Sequence, residues 1–342
     1  MKMRPLVLFA CLGFLVAARL AAAPQWELIG NPRGGRITSF AVKDAILFAA
    51  TQNGGVFLSI DNGATWRPAS VGLPAKAVCL GLAVIGADIF AGTLEHGVFR
   101  STNNGGWWKA VNTGLTDQEV LSLAADGATL YAGTSHGVFR SGDRGDGWTA
   151  VGSGLPADFR AGHLVISNGN LAVGSGREAF LSRDHGATWV AVNSGIPGGA
   201  SIFCLAVTDT ALFAGTDMNG ILVSRDAGGR WEPVKSKAGE TEIHCLLINA
   251  ADLFAGTGGG HDVNMSGGAL KHVYHGLGVL RSTDNGALWR EMNSGLRAAP
   301  KWPMLGGRIG FWVERLAANG SYLFAGTDEG EVWRLPIPAS LR

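Results

Sequence analysis

The chain alternates short apolar stretches with turns rich in glycine and polar residues, and this alternation repeats. In one repeat the apolar stretches cover residues 78–84, 88–92, 97–101 and 108–111. Short apolar stretches bounded by glycine-containing turns predict antiparallel β-strands joined by hairpins. Beyond residue 23 the sequence lacks the 3.6-residue periodicity of amphipathic helices. We therefore predict an all-β chain with four strands per repeat.

Two sequence markers define the repeat. The first, S-x-D/N-x-G-x-x-W, is called the box below. Its tryptophans recur at nearly constant spacing, except that the last interval is longer, and they are Trp66, Trp108, Trp148, Trp189, Trp231 and Trp289. The second marker, FAGT or a close variant, ends at Thr51, Thr93, Thr134, Ser175, Thr216, Thr257 and Thr327. Four strands in a period of roughly 41 residues predict the blades of a β-propeller.

The seventh repeat is split between the two ends of the chain. Its C-terminal part, YLFAGTDEGEVWRL, stops after a third strand, whereas QWELIG around Trp26 aligns with an outer strand. Trp26 precedes Trp66 by one repeat length. We predict a single seven-bladed β-propeller over residues 24–342. The strand near Trp26 completes the last blade, closes the ring and covers two sheet edges.

The box residues predict a turn that stabilises the blade. Asp and Asn side chains bond nearby backbone N–H groups in turns, and glycine supplies a positive φ. An acid occupies the third box position in five copies, and Asn103 occupies it in the second copy. Asparagine can replace aspartate in a turn, whereas it cannot act as a general acid. The five acids are Asp61, Asp143, Asp184, Asp226 and Asp284.

This motif in a propeller blade resembles the Asp-box, or BNR, repeat. Such repeats occur in sialidases, xyloglucan-active glycoside hydrolases, sortilin-type receptors and photosystem II assembly factors. The resemblance covers the chain after residue 23 and implies the fold. It implies no single activity, because those families differ in chemistry. The sequence keeps threonine before the tryptophan only at Thr65 and Thr188.

Two insertions interrupt the array, since the interval from Thr257 to Thr327 is much longer than one repeat. GGGHDVNMSGGALKHVYHG, residues 258–276, lies between the second and third strands of blade six. RAAPKWPMLGGRIGFW, residues 297–312, links blades six and seven. In an antiparallel blade both connections leave from one end of the sheet, opposite the box turns. We call this end the loop face, and we expect ligand binding there because binding residues concentrate on loops carried by rigid scaffolds.

Basic and aromatic residues of the loop face are the candidates for ligand binding. Together the basic ones could hold a carboxylate or an acidic peptide, and the aromatic ones could stack on a sugar or an apolar side chain. The basic candidates are Arg33, Arg36, Lys301, Arg308 and Arg315, and the aromatic ones are Tyr274, Trp302 and Trp312. Separately solvated arginines, and aromatics that pack loops onto blades, are the alternative interpretations.

Histidines and cysteines are the remaining residues that could carry metal or redox chemistry. His261, Asp262, His272 and His275 have side chains that suit zinc, but a glycine-rich loop lacks a rigid element to set their geometry. We therefore expect no metal and no cofactor. Cys79, Cys204 and Cys245 are odd in number and lack CxxC spacing, which favours buried thiols over disulfides. His163, Cys204, Cys245 and Arg315 share one inner-strand position, facing either the central channel or a seam between blades.

The N-terminus predicts export. Lys2 and Arg4 precede an apolar run over residues 5–18 and three alanines at 21–23, which is typical of a secretory signal peptide over residues 1–23. No later stretch has the roughly 20 apolar residues of a transmembrane helix. Cleavage removes three basic residues and lowers the formal charge from +1 to −2, which disfavours nucleic-acid binding. We expect a secreted or periplasmic monomer.

We predict a non-enzymatic propeller that binds a protein, peptide or glycan on the loop face. The alternative is a glycoside hydrolase, which needs two carboxylates roughly 5 to 10 Å apart across a cleft. Loop-face acids are abundant and select no pair: Asp117, Glu119, Asp158, Glu178, Glu240, Glu242, Asp262 and Glu314. Departures from the family patterns disfavour hydrolysis, because sialidases of this type have six blades and xyloglucan-active enzymes pair two propellers. A structural interaction protein without a small ligand is a third hypothesis.

Overall fold

The computed structural model describes residues 24–217, 219–234, 241–258, 277–296 and 312–337, and all regular structure in these ranges is β-strand. The strands form seven four-stranded antiparallel sheets. Each sheet is a blade with an inner, a second, a third and an outer strand, and in six of the seven blades these follow one another along the chain. The predicted seven-bladed all-β propeller is confirmed. The blades around the ring are bounded as follows.

Blade 1 comprises β2 (Ile37–Lys43), β3 (Ile46–Thr51), β4 (Gly55–Ser59) and β5 (Arg67–Pro68). Blade 2 comprises β6 (Cys79–Ile85), β7 (Asp88–Thr93), β8 (Gly97–Ser101) and β9 (Lys109–Ala110). Blade 3 comprises β10 (Val120–Asp126), β11 (Thr129–Thr134), β12 (Gly137–Ser141) and β13 (Thr149–Ala150). Blade 4 comprises β14 (His163–Ser167), β15 (Asn170–Ser175), β16 (Glu178–Ser182) and β17 (Val190–Ala191).

Blade 5 comprises β18 (Ile202–Val207), β19 (Leu212–Thr216), β20 (Ile221–Ser224) and β21 (Glu232–Pro233). Blade 6 comprises β22 (Ile243–Asn249), β23 (Asp252–Thr257), β24 (Val279–Ser282) and β25 (Arg290–Glu291). Blade 7 comprises β26 (Val313–Ala318), β27 (Tyr322–Thr327), β28 (Val332–Pro336) and β1 (Glu27–Gly30).

The outer strand of blade 7 comes from the opposite end of the chain. β1 pairs antiparallel with β28, in the position predicted for the segment around Trp26. The Trp26 indole is buried, and its Nε1 donates to Met292 O of blade 6 at 2.6 Å. Blade 7 also packs on blade 1, because Phe324 shares a hydrophobic cluster with Ile37 and Leu47. The described strands thus form a ring in which the last blade contacts both neighbours.

The box forms a closed hydrogen-bonded turn between the third and outer strands. In blade 1, the Ser59 hydroxyl donates to Asp61 Oδ1 at 2.7 Å and accepts from the Gly63 N–H at 2.8 Å. The N–H of Thr65 donates to Asp61 Oδ1 at 2.9 Å. Hydrogen bonds from Thr65 and Ser59 lower the pKa of Asp61 to about 2. The acid is therefore an ionised acceptor within its own turn.

The box tryptophans join neighbouring blades. Five of the six indoles are buried and that of Trp66 is partly buried. In four boxes the indole Nε1 donates to a carbonyl at the end of the preceding outer strand. The bonds are Trp108 to Ala69, Trp148 to Val111, Trp189 to Val151 and Trp231 to Val192, at 2.5 to 2.7 Å. Burial of so large an aromatic surface with its polar atom satisfied stabilises each of these blade boundaries.

A β-bulge marks the loop-face end of the inner strands. In six blades the register between the inner and second strands shifts by one residue, as between Val313 and Arg315 in blade 7. A bulge leaves one residue unpaired and changes the direction of its side chain. The bulged residues are Thr38, Leu80, Leu121, Phe203, His244 and Glu314, and we call them the bulge row. Because inner strands surround the axis of a propeller, the row lies around the loop-face mouth of the central channel.

The inner-strand position after the bulge row forms the seam between blades. Cys204 Sγ reaches Ile243 O at 3.5 Å, Cys245 Sγ reaches Val313 O at 3.8 Å, and Arg315 Nε donates to Thr38 O at 2.6 Å. Each acceptor belongs to the following blade. The three cysteines after residue 23 are free and buried, and burial raises the pKa of Cys79 and Cys245 to about 12. Burial and the charge of Arg315 lower the pKa of His163 in the same row to about 4.

Replacement of Asp284 by asparagine is expected to leave the melting temperature unchanged, whereas alanine will lower it. Asp284 Oδ1 accepts from the Ser282 hydroxyl at 2.8 Å and from the Leu288 N–H at 2.9 Å. Asn103 accepts the equivalent bonds through its amide oxygen at 3.0 and 2.8 Å. Thermal unfolding of Asp284→Asn beside Asp284→Ala measures this. Equal losses in both variants would show that the turn needs the charge.

Candidate functional site at the mouth of the channel

The described ends of both insertions meet at the imidazole of His244. The N–H of Gly258, where the first insertion begins, donates to Glu242 O at 3.0 Å, and Gly258 lies against the His244 ring. Trp312, where the second insertion ends, has its ring centroid 6.1 Å from that of His244. The two connections therefore leave from one end of blade 6, as predicted for the loop face. His244 is the residue they share.

A carboxylate contacts each nitrogen of this imidazole. His244 Nε2 lies 3.3 Å from Glu242 Oε2, and His244 Nδ1 lies 3.3 Å from Glu314 Oε2. Both nitrogens can donate only in the protonated ring, so two carboxylate partners favour the imidazolium form, which links blades 6 and 7. Burial alone would lower the pKa of His244, but the hydrogen bonds and charges of Glu314 and Glu242 outweigh it and raise that pKa.

The same contacts keep Glu314 ionised although it is buried. Burial acts to raise the pKa of this carboxyl group. The hydrogen bond and charge of His244, and the charges of Arg36 and Arg315, outweigh burial and lower that pKa below its ordinary value. A buried charge is retained only when it is paired in this way. The cluster is thus a charged network at the junction of blades 6, 7 and 1.

Aromatic rings flank the imidazolium. Phe203, the bulged residue of blade 5, packs edge-on with its centroid 5.6 Å from that of His244. Trp312 packs edge-on as well, and both rings are partly exposed. Leu80 and Leu121 of the bulge row are also partly exposed. The mouth therefore combines apolar surface with charged side chains.

The described basic candidates lie at different distances from this cluster. Arg36 approaches the Glu314 carboxylate, with Nε 3.7 Å from Oε1 and 46% of its side chain exposed. Arg33 is exposed at a turn with φ of 65°, and its backbone N–H donates to Asn31 Oδ1. Arg315 directs its guanidinium to the carbonyl oxygens of Thr38 and Glu314, so it joins blades 7 and 1.

The other candidates fall outside the described residues. They are His261, Asp262, His272, His275, Tyr274, Lys301, Trp302 and Arg308. Within the part of the chain that the structure describes, no three His, Cys, Asp or Glu side chains are placed to hold a metal ion. No helix in the same ranges is long and apolar enough to span a membrane.

Sequence patterns do not reveal two central residues of the site, His244 and Phe203. Both belong to the bulge row, one residue before the inner-strand position that His163 and Cys204 mark. Counting thirteen residues back from each FAGT threonine would have aligned Phe203, His244 and Glu314 in one row. Period-two alternation conceals this row, because it assumes a regular strand where the structure has a bulge.

The carboxylates of Glu242 and Glu314 do not form the pair that glycoside hydrolysis requires. The imidazolium of His244 lies between them and bonds both. A sugar bond would have to occupy that space, with one carboxylate on each side. Both acids instead take part in the link between blades 6 and 7.

A second polar cluster on the loop face contains a serine, a histidine and an aspartate. The Ser135 hydroxyl donates to Asp117 Oδ2 at 2.8 Å, and His136 Nδ1 lies 3.0 Å from the same oxygen. In a catalytic triad the imidazole lies between the serine and the acid. Burial would raise the pKa of Asp117, but hydrogen bonds from Glu119, Ser135 and His136 outweigh it and lower that pKa to about 2. This cluster stabilises a turn.

Comparison with solved structures supports the β-propeller fold. YCF48 bound to D1 peptide matches with a TM-score of 0.70 and 14% identity, over 92% of this chain and 97% of that chain. The extracellular domain of the putative hybrid two component system BT4673 from B. thetaiotaomicron matches with a TM-score of 0.67 and 15% identity, over 91% and 40%.

A GH74 xyloglucanase from Xanthomonas campestris matches with a TM-score of 0.61 and 18% identity, and this chain spans 53% of its length. No family model and no curated protein matches the sequence. At these identities the likeness shows the fold alone, because one propeller scaffold carries many functions.

Proposed function

We propose that this chain is an exported, non-enzymatic propeller of the Asp-box type that binds a protein, peptide or glycan on its loop face. One observation carries the proposal: the described ends of both insertions converge with Phe203 and Trp312 on the buried imidazolium of His244. Inner strands hold Phe203 and His244, and Trp312 directly precedes the inner strand β26. A preorganised mixed apolar and charged surface favours binding. Export rests on the signal-like segment of residues 1–23.

Two neighbours illustrate ligands that this fold can accept. The YCF48 structure is a propeller bound to a peptide, and the GH74 structure is that of a xyloglucanase. For this chain we favour binding over hydrolysis, because His244 separates the carboxylates nearest the insertions. The aromatic rings at the mouth suit either an apolar peptide side chain or the face of a sugar.

A binding screen against peptide and glycan arrays, followed by matched variants, tests this proposal. A double variant, Phe203→Ala with Trp312→Ala, is expected to weaken binding of any selected ligand more than about tenfold, as loss of buried aromatic anchors does. The control is Trp107→Ala, which removes an indole that is 58% exposed beside a box turn on the opposite face. Titration calorimetry gives the dissociation constants.

The control decides which face binds. Trp107→Ala is expected to bind like the unmodified chain, since its indole lies far from the mouth along the strands. A ligand that loses affinity with Trp107→Ala and keeps it in the double variant would move the binding site to the box face and overturn the proposal.

A further inference from the structure

Glu314 has one carboxylate oxygen without a hydrogen bond. The residue is only 4% exposed, and its Oε2 contacts His244. Its Oε1 is fully buried and has no hydrogen-bond partner. Burial of an ionised oxygen without a donor is costly, so native proteins rarely leave one in this state. This oxygen therefore marks a place that a donor would stabilise.

Glu314 Oε1 faces Arg36 but forms no hydrogen bond with it. The Arg36 Nε lies 3.7 Å away, beyond hydrogen-bonding distance, and nearly half of this side chain is exposed. The backbone holds Arg36 in place, because its carbonyl accepts from the Gln52 N–H at 3.0 Å. The preceding link is bound to blade 7, where Asn31 Nδ2 donates to Glu329 O at 3.1 Å. Arg36 is thus a poorly fitted cation beside a buried anion.

Negative charge exceeds positive charge around this arginine. Asp328, on the turn after β27, is partly buried, and burial followed by the charges of Glu329 and Glu314 raises its pKa. Arg36 offsets that increase only in part. With Glu242 these make four carboxylates, against three cations, which are the guanidinium groups of Arg36 and Arg315 and the protonated ring of His244. The described site therefore favours an added cation over an added anion.

We propose that Glu314 and Asp328 form a site for a cationic group of the ligand, the guanidinium or ammonium of an arginine or lysine side chain. This inference rests on the proposed function and specifies the chemistry of one ligand group. The incoming cation donates to Glu314 Oε1 and displaces Arg36 towards solvent. A guanidinium fits best, because its planar set of donors can engage two carboxylates at once.

Titration with N-acetyl-arginine amide tests the site, with N-acetyl-glutamate amide as the anionic probe. Labelled histidine lets NMR follow the His244 ring, which contacts Glu314 directly. Glu314→Gln is expected to weaken arginine binding roughly ten- to hundredfold, the range for one lost charge-assisted hydrogen bond. Arg36→Gln is expected to tighten arginine binding severalfold, because it removes the competing cation.

Two further variants keep the test decisive. Arg160→Gln makes the same charge change on the same face, where Arg160 pairs with Glu119, and it is expected to leave arginine binding unchanged. Asp328→Asn removes a less buried carboxylate and is expected to weaken arginine binding. It provides the test if a thermal melt shows that Glu314→Gln is unfolded.

Three results would overturn the inference. They are weaker arginine binding by Arg36→Gln, binding of the glutamate probe alone, or no shift of the His244 signals by arginine in either the unmodified chain or Arg36→Gln. The last would mean that Oε1 is merely hydrated. Each of these three results is compatible with the proposed function if binding of the array ligands still depends on Phe203 and Trp312. Conversely, arginine binding at Glu314 would survive a result that moves the array ligands to the box face.

Discussion

Deletion of residues 24–30 is expected to lower the melting temperature of the entire propeller by about 8 °C or more. The segment contributes β1 and the indole of Trp26, which is 4% exposed and bonded to Met292 O. Loss of a buried tryptophan alone costs about 3 to 5 kcal/mol. The deletion also exposes the edge of β28, which invites association with other chains. For a domain of this size about 5 kcal/mol corresponds to roughly 8 °C.

Two point variants separate burial from strand pairing. Trp26→Ala is expected to account for most of the loss, whereas Leu28→Ala, in the same strand but half exposed, is expected to cost less than about 1 kcal/mol. Differential scanning calorimetry measures both and shows whether the ring still melts in one transition. A deletion variant with an unchanged melting temperature would mean that blade 7 is stable with three strands.

Replacement of His244 by alanine is expected to cost about 3 kcal/mol of unfolding free energy. It leaves the carboxylates of Glu242 and Glu314 without their shared partner, and removal of one member of a buried ionic group is strongly destabilising. His136→Ala is the matched control, because that imidazole is exposed and bonds Asp117 at the surface. We expect it to cost less than about 0.5 kcal/mol. Urea unfolding at pH 6 measures both.

The stabilisation by His244 is expected to depend on pH with a definite sign. Its folded pKa is raised above the ordinary value of 6.5, so its contribution is complete below that value and is lost as the pH rises through the folded pKa. The folded pKa of Glu314 is lowered from 4.5, so its contribution is complete above 4.5 and is lost as the pH falls through its folded pKa. The pair therefore stabilises the fold most between pH 4.5 and 6.5.

The difference in stability between the unmodified chain and His244→Ala reports this contribution directly. We expect that difference to be largest near pH 6 and to shrink at alkaline pH. A difference that stays constant from pH 5 to pH 9 would mean that the ring is held by packing against Phe203 and Trp312 and that its charge contributes nothing.

Much of the fold could be predicted from the sequence because each repeat contains the strand and turn patterns of one whole blade. The FAGT stretches are second strands in all seven blades, and the box tryptophans precede the short outer strands. The spacing from Trp26 to Trp66 placed β1 correctly, because it equals one repeat length. That is the spacing expected of equivalent residues in neighbouring blades, here blades 7 and 1. Inner-strand bounds in blade 2 differ from the predicted 78–84 by one residue.

The site was less predictable because it depends on where side chains point. The charge of Arg315 predicts a pocket residue, but the bulge at Glu314 directs its guanidinium into the seam with blade 1. The same bulge brings Glu314 to His244, a contact between positions far apart in the sequence that no local pattern encodes. The basic candidates Lys301 and Arg308 lie outside the described residues and stay predictions.

Hydrogen exchange with and without a ligand selected from the arrays will show whether the loop face binds the ligand while the box face supports the fold. We expect protection of the backbone amides around Phe203, His244 and Val313, at the mouth of the channel, with no change in the box turns near Asp184 and Asp226. Protection confined to the box turns, with the mouth unchanged, would contradict it.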